Sequence, residues 1–507
     1  MKYLVVFFAF ACVLFIYQYP NIAPFSNVPN DYVYLGQNSY FDPWDVNLYV
    51  SAIRYGQNGE LLLPNLYTSL PNQPVAIYSV LTSIGFMFKS VNPFLVFHVS
   101  SLATGVILLI GMFFLILKLK FSFYKALFLT FLISLSGGFG FLFQKTQIAD
   151  ISNSAFTFYS TFQKAHEAIG VGGYLFALTF AYFFFEERKI QYVVISCASL
   201  LLTALIYPYF IAVFLLTTAF YYFFSGRKKG DFWIFIISIP SILVAVFSAG
   251  QFLINPTFGN VGANLSTDIV QFLLGYGVLI PLFVYLLFQK KRSNLTIFLS
   301  LWFLVTFFLS LVPFGPGKIF LRGSFFPLVI LGLLSLELLV RKYKKLDPAV
   351  FYTVFVVFLV GTSFFIFYSR ISNSYTKNPW TYMDMKDYRI FETLNRYTQK
   401  DSTVLTFYRL SNQIPAFTHN RVYFGHFLQT PDADSTLRQA ATFVGDNGLI
   451  EDKRKFIKSK NVNFIIWGDE EKALLTSKNN KNNEVVKYLE SIEKIGDAGQ
   501  FEIYKTK

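Results

Sequence analysis

Two carboxylates three residues apart, Asp42 and Asp45 in the stretch FDPWDVNLYV (Phe41–Val50), are the first residues in the chain whose type and spacing could do acid/base work. A carboxylate within hydrogen-bond reach of an acceptor's proton can serve as a general base, and two aspartates together with water and phosphate oxygens can hold Mg2+ or Mn2+. The same pair also fits the plain start of a helix. Asp is a preferred N-cap, Pro43 is tolerated at the first helical position, and an acid three residues past the cap completes a capping box. Further along, Lys318 and Arg322 follow the turn-like PFGPG (Pro313–Gly317) with a spacing of four. On a helix that spacing puts both cations on one face, where they could stabilise developing phosphate charge or simply snorkel to lipid headgroups. His166 and Glu167 in QKAHEAIG (Gln163–Gly170) could bind phosphate or assist proton transfer, but one His beside one Glu is not a metal site. His426 in YFGHFLQT could line an acceptor cleft or pack as an ordinary histidine.

Other chemistries lack their residues. Cys12 and Cys197 both lie inside apolar runs, which leaves neither a disulfide framework nor a thiolate metal site. No Walker-type loop or Rossmann fingerprint occurs, so a cytosolic nucleotide-sugar donor has no support.

The elements that must position these residues are mostly apolar. Of 507 residues, 54% are hydrophobic, 20% aromatic and only 14% charged, against about 25% charge in soluble domains. Apolar runs long enough to cross a hydrocarbon core recur near residues 3–19, 94–117, 122–143, 168–185, 190–207, 208–224, 232–254, 269–289, 295–313, 319–340 and 349–368. The expected fold class is therefore an α-helical polytopic membrane protein of about eleven spans. The first run, Met1–Tyr19, has no small-x-small cleavage site before Pro20 and reads as a retained span. The net charge of +14 does not point to nucleic acid, because sixteen Lys and Arg gather in the short loops of one side against six on the other before residue 370. By the positive-inside rule this places the N-terminus in the cytoplasm and the C-terminal region outside a plasma membrane. That assignment treats Val75–Phe88 as an interfacial helix lying along the outer surface.

The expected organisation is a membrane region over residues 1–368, with an outer first loop at 20–93, and an extracytoplasmic α/β domain at 369–507. In the tail, VLTF (Val404–Phe407), VNFIIWG (Val462–Gly468) and FEIYK (Phe501–Lys505) read as strands. Met385–Thr398, Ser435–Phe443 and Asn483–Lys494 read as helices. Ser477–Glu484 reads as a polar loop, and Asn264-Leu-Ser266 fits a glycosylation sequon. The helix opened by Asp42 would carry Val46, Tyr49, Val50 and Ile53 on an apolar stripe resting on the bilayer or the bundle. It would also put Tyr49 one turn from Asp45. Trp44, Tyr49 and Tyr78 are candidate platforms for stacking a sugar.

The stretch DVNLYVSAIRYGQNGELLLPNLYTSLPNQPVAIYSVLTSIGFMFKSVNPFLVFHVSSLATGVILL resembles the opening of GT-C glycosyltransferases: an early acid in a large outer loop, a juxtamembrane helix and a second span. Asn72–Tyr78 fills the place of the PP-x-x-Y type motif with one proline rather than two. The layout is similar to protein O-mannosyltransferases and lipid A aminoarabinose transferases, although the adjacent Asp-Glu pair common in the former is missing. The resemblance implies transfer of a sugar from a polyprenyl-phosphate carrier to a glycan, lipid or protein acceptor outside the membrane. It implies Asp45, with Asp42 second, as the base, and Lys318, Arg322 and His166 at the donor phosphate. Tyr49, Tyr78, Glu167 and His426 would then contact substrate. A transporter or flippase, whose only clear acid inside a span would be Glu337, and a noncatalytic envelope assembly protein are the other classes. The chain has no internal repeat of the kind transporters are often built from.

Overall fold

In the computed structural model the chain falls into two units. Described are all residues except 145–146, 225–229, 256–267, 313–316, 344–346, 446–447, 478–483 and 507. The sequon at Asn264, most of the polar run Ser477–Glu484 and most of the turn Pro313–Gly317 thus lie outside the described residues.

The first unit comprises Met1–Pro20, His98–Gly250 and Gly262–Ile371. Among the described residues four helices, Lys2–Ser26, Pro93–Lys118, Ala165–Glu187 and Pro348–Asn373, are long and apolar enough to cross a membrane. Ile269–Tyr276 and Leu279–Leu287 together would make a fifth, bent by 91° at Gly277, whose φ is +56°. The other expected spans fall on shorter apolar helices: Phe123–Leu135, Ile190–Ile206, Phe210–Phe224, Ile239–Gln251 and Asn294–Ser310. The segment at 319–340 is the helix Phe325–Lys342, whose last turn carries Arg341 and Lys342.

Water does not reach the middle of a bilayer, so polar groups there need partners within the protein. The Trp302 indole donates to Tyr174 Oη at 2.5 Å, and Tyr276 Oη and Ser324 Oγ share a 2.7 Å bond. Asp150 Oδ2 accepts from the backbone of Gly138 at 2.8 Å and from Thr362 Oγ1 at 2.5 Å. Glu337 is paired with Lys125 at 2.6 Å.

The second unit comprises Asn21–Phe97, Gln251–Val261 and Ser372–Lys507, so the first loop and the tail share it. The strand β1 (Tyr32–Tyr34) of the loop pairs antiparallel with β2 (Tyr382–Asp384) of the tail. The remaining strands, β3 (Thr403–Leu405), β4 (Arg421–Val422), β5 (Phe464–Trp467), β6 (Glu493–Ala498) and β7 (Phe501–Lys505), form a sheet in the order β4-β3-β5-β7-β6. β3 runs parallel to β4 and β5, while β7 is antiparallel to β5 and β6. The strand read in FEIYK is β7. The helix read over Asn483–Lys494 is shorter, Glu484–Glu490, because Glu493 already begins the hairpin that turns at Gly499 with φ +58°.

The first-loop helix runs from Pro43 to Gln57, with Pro43 in its first turn. Val46, Tyr49, Val50 and Ile53 are buried as the stripe requires, but not against lipid. They join one hydrophobic cluster with Leu410, Ile414, Val422 and Ile466 of the tail. Leu63, Leu66, Tyr67 and Phe391 complete the same cluster. The segment read as interfacial is a nine-residue helix, Ser79–Met87, with Leu81, Thr82 and Gly85 buried and Phe86 and Met87 exposed.

The two loop helices cross with their backbones in contact. A Cβ added at Gly85 would lie 1.9 Å from the carbonyl oxygen of Ile53, and one at Gly56 would lie 1.9 Å from that of Thr82. Neither carbonyl can move without breaking its helix. Gly85→Ala should therefore lose about 1–3 kcal/mol or more of stability, read as a lowered unfolding midpoint of the purified protein. Gly250→Ala, where a Cβ meets nothing within 4 Å, should not.

Candidate active site

Asp45 occupies the third position of the first-loop helix, where its backbone N–H donates to Asp42 O at 3.1 Å. Its Oδ1 lies 2.7 Å from His426 Nε2, and its Oδ2 accepts a longer bond of 3.3 Å from the Tyr49 hydroxyl. The His426 side chain is 2% exposed and that of Asp45 19%, so the carboxylate is the end of the pair that solvent or a substrate can reach. His426 follows β4 in the segment Phe424–Thr430, which folds back on itself: Gln429 and Thr430 both donate their backbone N–H to His426 O. Thr430 Oγ1 is tied to Tyr67 O at 3.1 Å and to the Gly425 N–H at 3.1 Å. The Tyr67 ring lies 5.6 Å from the imidazole, centroid to centroid. The imidazole is thus held on several sides, while its Nδ1 makes no hydrogen bond among the described residues.

Asp42 does not play the part expected of a cap. Its φ of −149° and ψ of 68° leave its side chain without a capping bond, and Ser39 Oγ donates to its Oδ1 at 3.2 Å instead. The capping box therefore does not form, and Asp45 is released for His426.

Tyr78 belongs to the same neighbourhood. Its hydroxyl accepts from Gln429 Nε2 at 2.9 Å, and the Gln429 backbone carbonyl accepts from Asn65 Nδ2 at 2.6 Å. Burial, then the negative charge of Asp45, pushes the Tyr78 and Tyr408 hydroxyls above their ordinary range. Both stay protonated donors at any physiological pH.

In the first unit Glu167, His166 and Arg322 come close together. Arg322 reaches Glu167 Oε1 at 3.1 Å and Lys164 reaches the same oxygen at 3.4 Å, with all three side chains at most 8% exposed. Ser160 Oγ donates to the other oxygen at 3.1 Å. Arg322 also donates to Tyr207 Oη at 2.6 Å and lies over that ring. Two cations thus share one carboxylate oxygen. Lys318 is not part of a shared face with Arg322. Gly317–Leu321 winds as a 3-10 helix, and at three residues per turn positions four apart do not stack. Lys318 has no ion-pair partner among the described residues, and burial lowers its pKa.

Sequence reasoning missed Lys164, Tyr207, Tyr67 and Gln429. Lys164 precedes Glu167 by three, a spacing that could have flagged the pair, whereas nothing local connects Tyr207 to Arg322. Among the described residues no three His, Cys, Asp or Glu side chains gather as a metal site would require. Of the carboxylates that could hold Mg2+ or Mn2+, Asp42 accepts from Ser39 at Oδ1, and the Asp45 oxygens lie against His426 and Tyr49.

No protein-family model matches the chain, and no curated protein matches it in sequence. Solved structures do match it. The archaeal oligosaccharyltransferase AglB from Archaeoglobus fulgidus, in complex with an inhibitory peptide and a dolichol-phosphate, superposes with a TM-score of 0.58 at 11% identity over 93% of this chain and 70% of that one. The same enzyme's complex with Zn and sulfate gives 0.58 at 14% identity, over 92% of this chain and 68% of that one. ArnT from Cupriavidus metallidurans in the apo state gives 0.51 at 11%, covering 91% and 93% of the two chains. These neighbours are GT-C glycosyltransferases, and at such identities the likeness is one of fold.

Glu167 is what makes two buried cations tolerable in the first unit. Its replacement in Glu167→Gln should cost about 3 kcal/mol or more, the range seen when one member of a buried ion pair is removed. Thermal unfolding of the variant against wild type measures this.

Proposed function

We propose that the chain is a multi-pass membrane glycosyltransferase that moves a sugar from a polyprenyl-phosphate donor to an acceptor on the extracytoplasmic side. The reading rests on the Asp45–His426 contact at 2.7 Å, with the GT-C fold as its frame. About eleven spans, a cytoplasmic N-terminus and an extracytoplasmic tail in a plasma membrane belong to the same proposal.

Asp45 is the base. With its Nε2–H donated to Oδ1, His426 favours the ionised carboxylate and fixes its plane. The second oxygen accepts the longer Tyr49 bond and is the one an acceptor O–H or N–H would displace. As the acceptor atom attacks the anomeric carbon, its proton passes to Asp45 and the bond to the phosphate oxygen breaks. The electron pair leaves with polyprenyl phosphate, whose growing charge requires cations. Arg322, held in its cluster with Glu167 and Lys164, and Lys318, partly desolvated and without an ion-pair partner among the described residues, are assigned that task. Asp45 is a catalytic residue in this scheme and His426 a positioning residue. The hydroxyls of Tyr49 and Tyr78 are donors for the substrate's polar groups.

Transfer from a radiolabelled polyprenyl-phospho sugar in membranes tests the assignment. Asp45→Asn should lose about 100-fold or more, the lower end of what a general base contributes. His426→Gln should lose less but move the pH profile of kcat, because the group that holds Asp45 ionised has changed. Full activity of Asp45→Asn would remove it from the base's role.

A further inference from the structure

Near the other end of the first-loop helix lies a second concentration of polar groups that the proposed reaction does not use. Arg54 is in the helix's last turn, nine residues beyond Asp45 and so about 14 Å along the axis at 1.5 Å per residue. It lines a small notch, open to solvent, together with Ser51, Tyr55, Lys400, His419 and Asn420. Three of these six are basic and none is acidic.

Two features of the notch are unsatisfied by the protein. Arg54 is half-buried and forms no ion pair or side-chain hydrogen bond among the described residues. Burial lowers its pKa, and the one titratable group that offsets this is Tyr388, not a carboxylate. Asn420 is 1% exposed, yet neither its amide nitrogen nor its amide oxygen has a hydrogen-bond partner among the described residues. Burying both ends of an amide unpaired is costly, as is leaving a guanidinium desolvated without a counter-charge. The surrounding groups are otherwise employed: Ser51 Oγ donates to Leu48 O at 2.7 Å. His419 Nε2 sits 2.9 Å from Thr398 O, and Lys400 bonds Glu60 at 3.3 Å at the rim. Arg54 also complements the carbonyls at the helix's C-terminus, but that leaves the amide of Asn420 unexplained.

We propose that this notch is an oxyanion-binding site, in which the Arg54 guanidinium and the Asn420 amide N–H hold a phosphate or carboxylate group, with Lys400 at its mouth. A planar guanidinium beside an amide donor matches the paired oxygens of either group. The Asn420 oxygen accepts from a neighbouring hydroxyl, as on a phosphorylated or acidic sugar. The site is separate from Asp45 and stands or falls without the glycosyl-transfer reading.

The test uses the full chain in lipid nanodiscs and follows its thermal unfolding midpoint at constant ionic strength. Inorganic phosphate and glucuronate are titrated in separate arms, with chloride as the reference. A ligand that binds only the folded state raises the midpoint in proportion to the logarithm of its concentration. Wild type should shift upward by a few degrees with one oxyanion or both. A response to phosphate alone identifies a phosphoryl ligand, and a response to glucuronate alone an acidic sugar. Arg54→Gln should abolish the shift. Asn420→Asp should also abolish it while raising the midpoint in chloride, because the new carboxylate supplies the missing counter-charge. A wild-type midpoint that neither oxyanion moves overturns the proposal. So does an equal shift in either variant, which would mark the notch as holding water alone.

Discussion

A helix whose Val50, Ala52 and Ile53 are fully buried and whose Gly56 touches a neighbouring backbone has almost no freedom to rotate or slide. That constraint on Pro43–Gln57 fixes much of the second unit. The apolar stripe locks its azimuth against the tail cluster, the glycine contact with Ser79–Met87 locks its depth, and Asp45 is left pointing at His426. A carboxylate on a mobile loop would spend its hydrogen bonds on water. Here it is held by a covalent frame that packing has already immobilised, which is the condition a positioned acid or base needs.

The first unit meets a different demand. Its interior places ions where desolvation is expensive, and it responds by clustering them rather than excluding them. Glu167 serves Lys164, Arg322 and Ser160 at once, and Arg322 is further sandwiched by Tyr207. Such a cluster is poor value as a source of stability, since well-packed apolar residues do as well.

What was legible from sequence is what local rules govern. The start of the first-loop helix at Pro43, the i to i+4 approach of Tyr49 to Asp45 and the strand Phe501–Lys505 follow from spacing and residue type. The partner of Asp45 does not, because His426 lies 381 residues away and only the tertiary fold brings the two together. The capping role assigned to Asp42 failed for a related reason: Ser39, three residues earlier, competes for its carboxylate. The stripe of Val46, Tyr49, Val50 and Ile53 was readable as buried, but amphipathic periodicity does not say by what. Lipid and a distant tail helix leave the same pattern in the sequence. Lys318 and Arg322 were paired on helical spacing that a tighter winding of the chain then broke.

The shared core of loop and tail also has a temporal side. During synthesis at roughly 5–20 residues per second, the first-loop helix is made some 20–80 s before the segment that carries His426, given the 381 residues between them and that rate. Through this interval Val50 and Ile53 have no tail to cover them. The nascent loop must bury its stripe elsewhere until the tail is made. A chain that stops short of the tail would then carry an uncovered apolar helix. Completion of the polypeptide thereby becomes a checkpoint on assembly of the acid–imidazole pair.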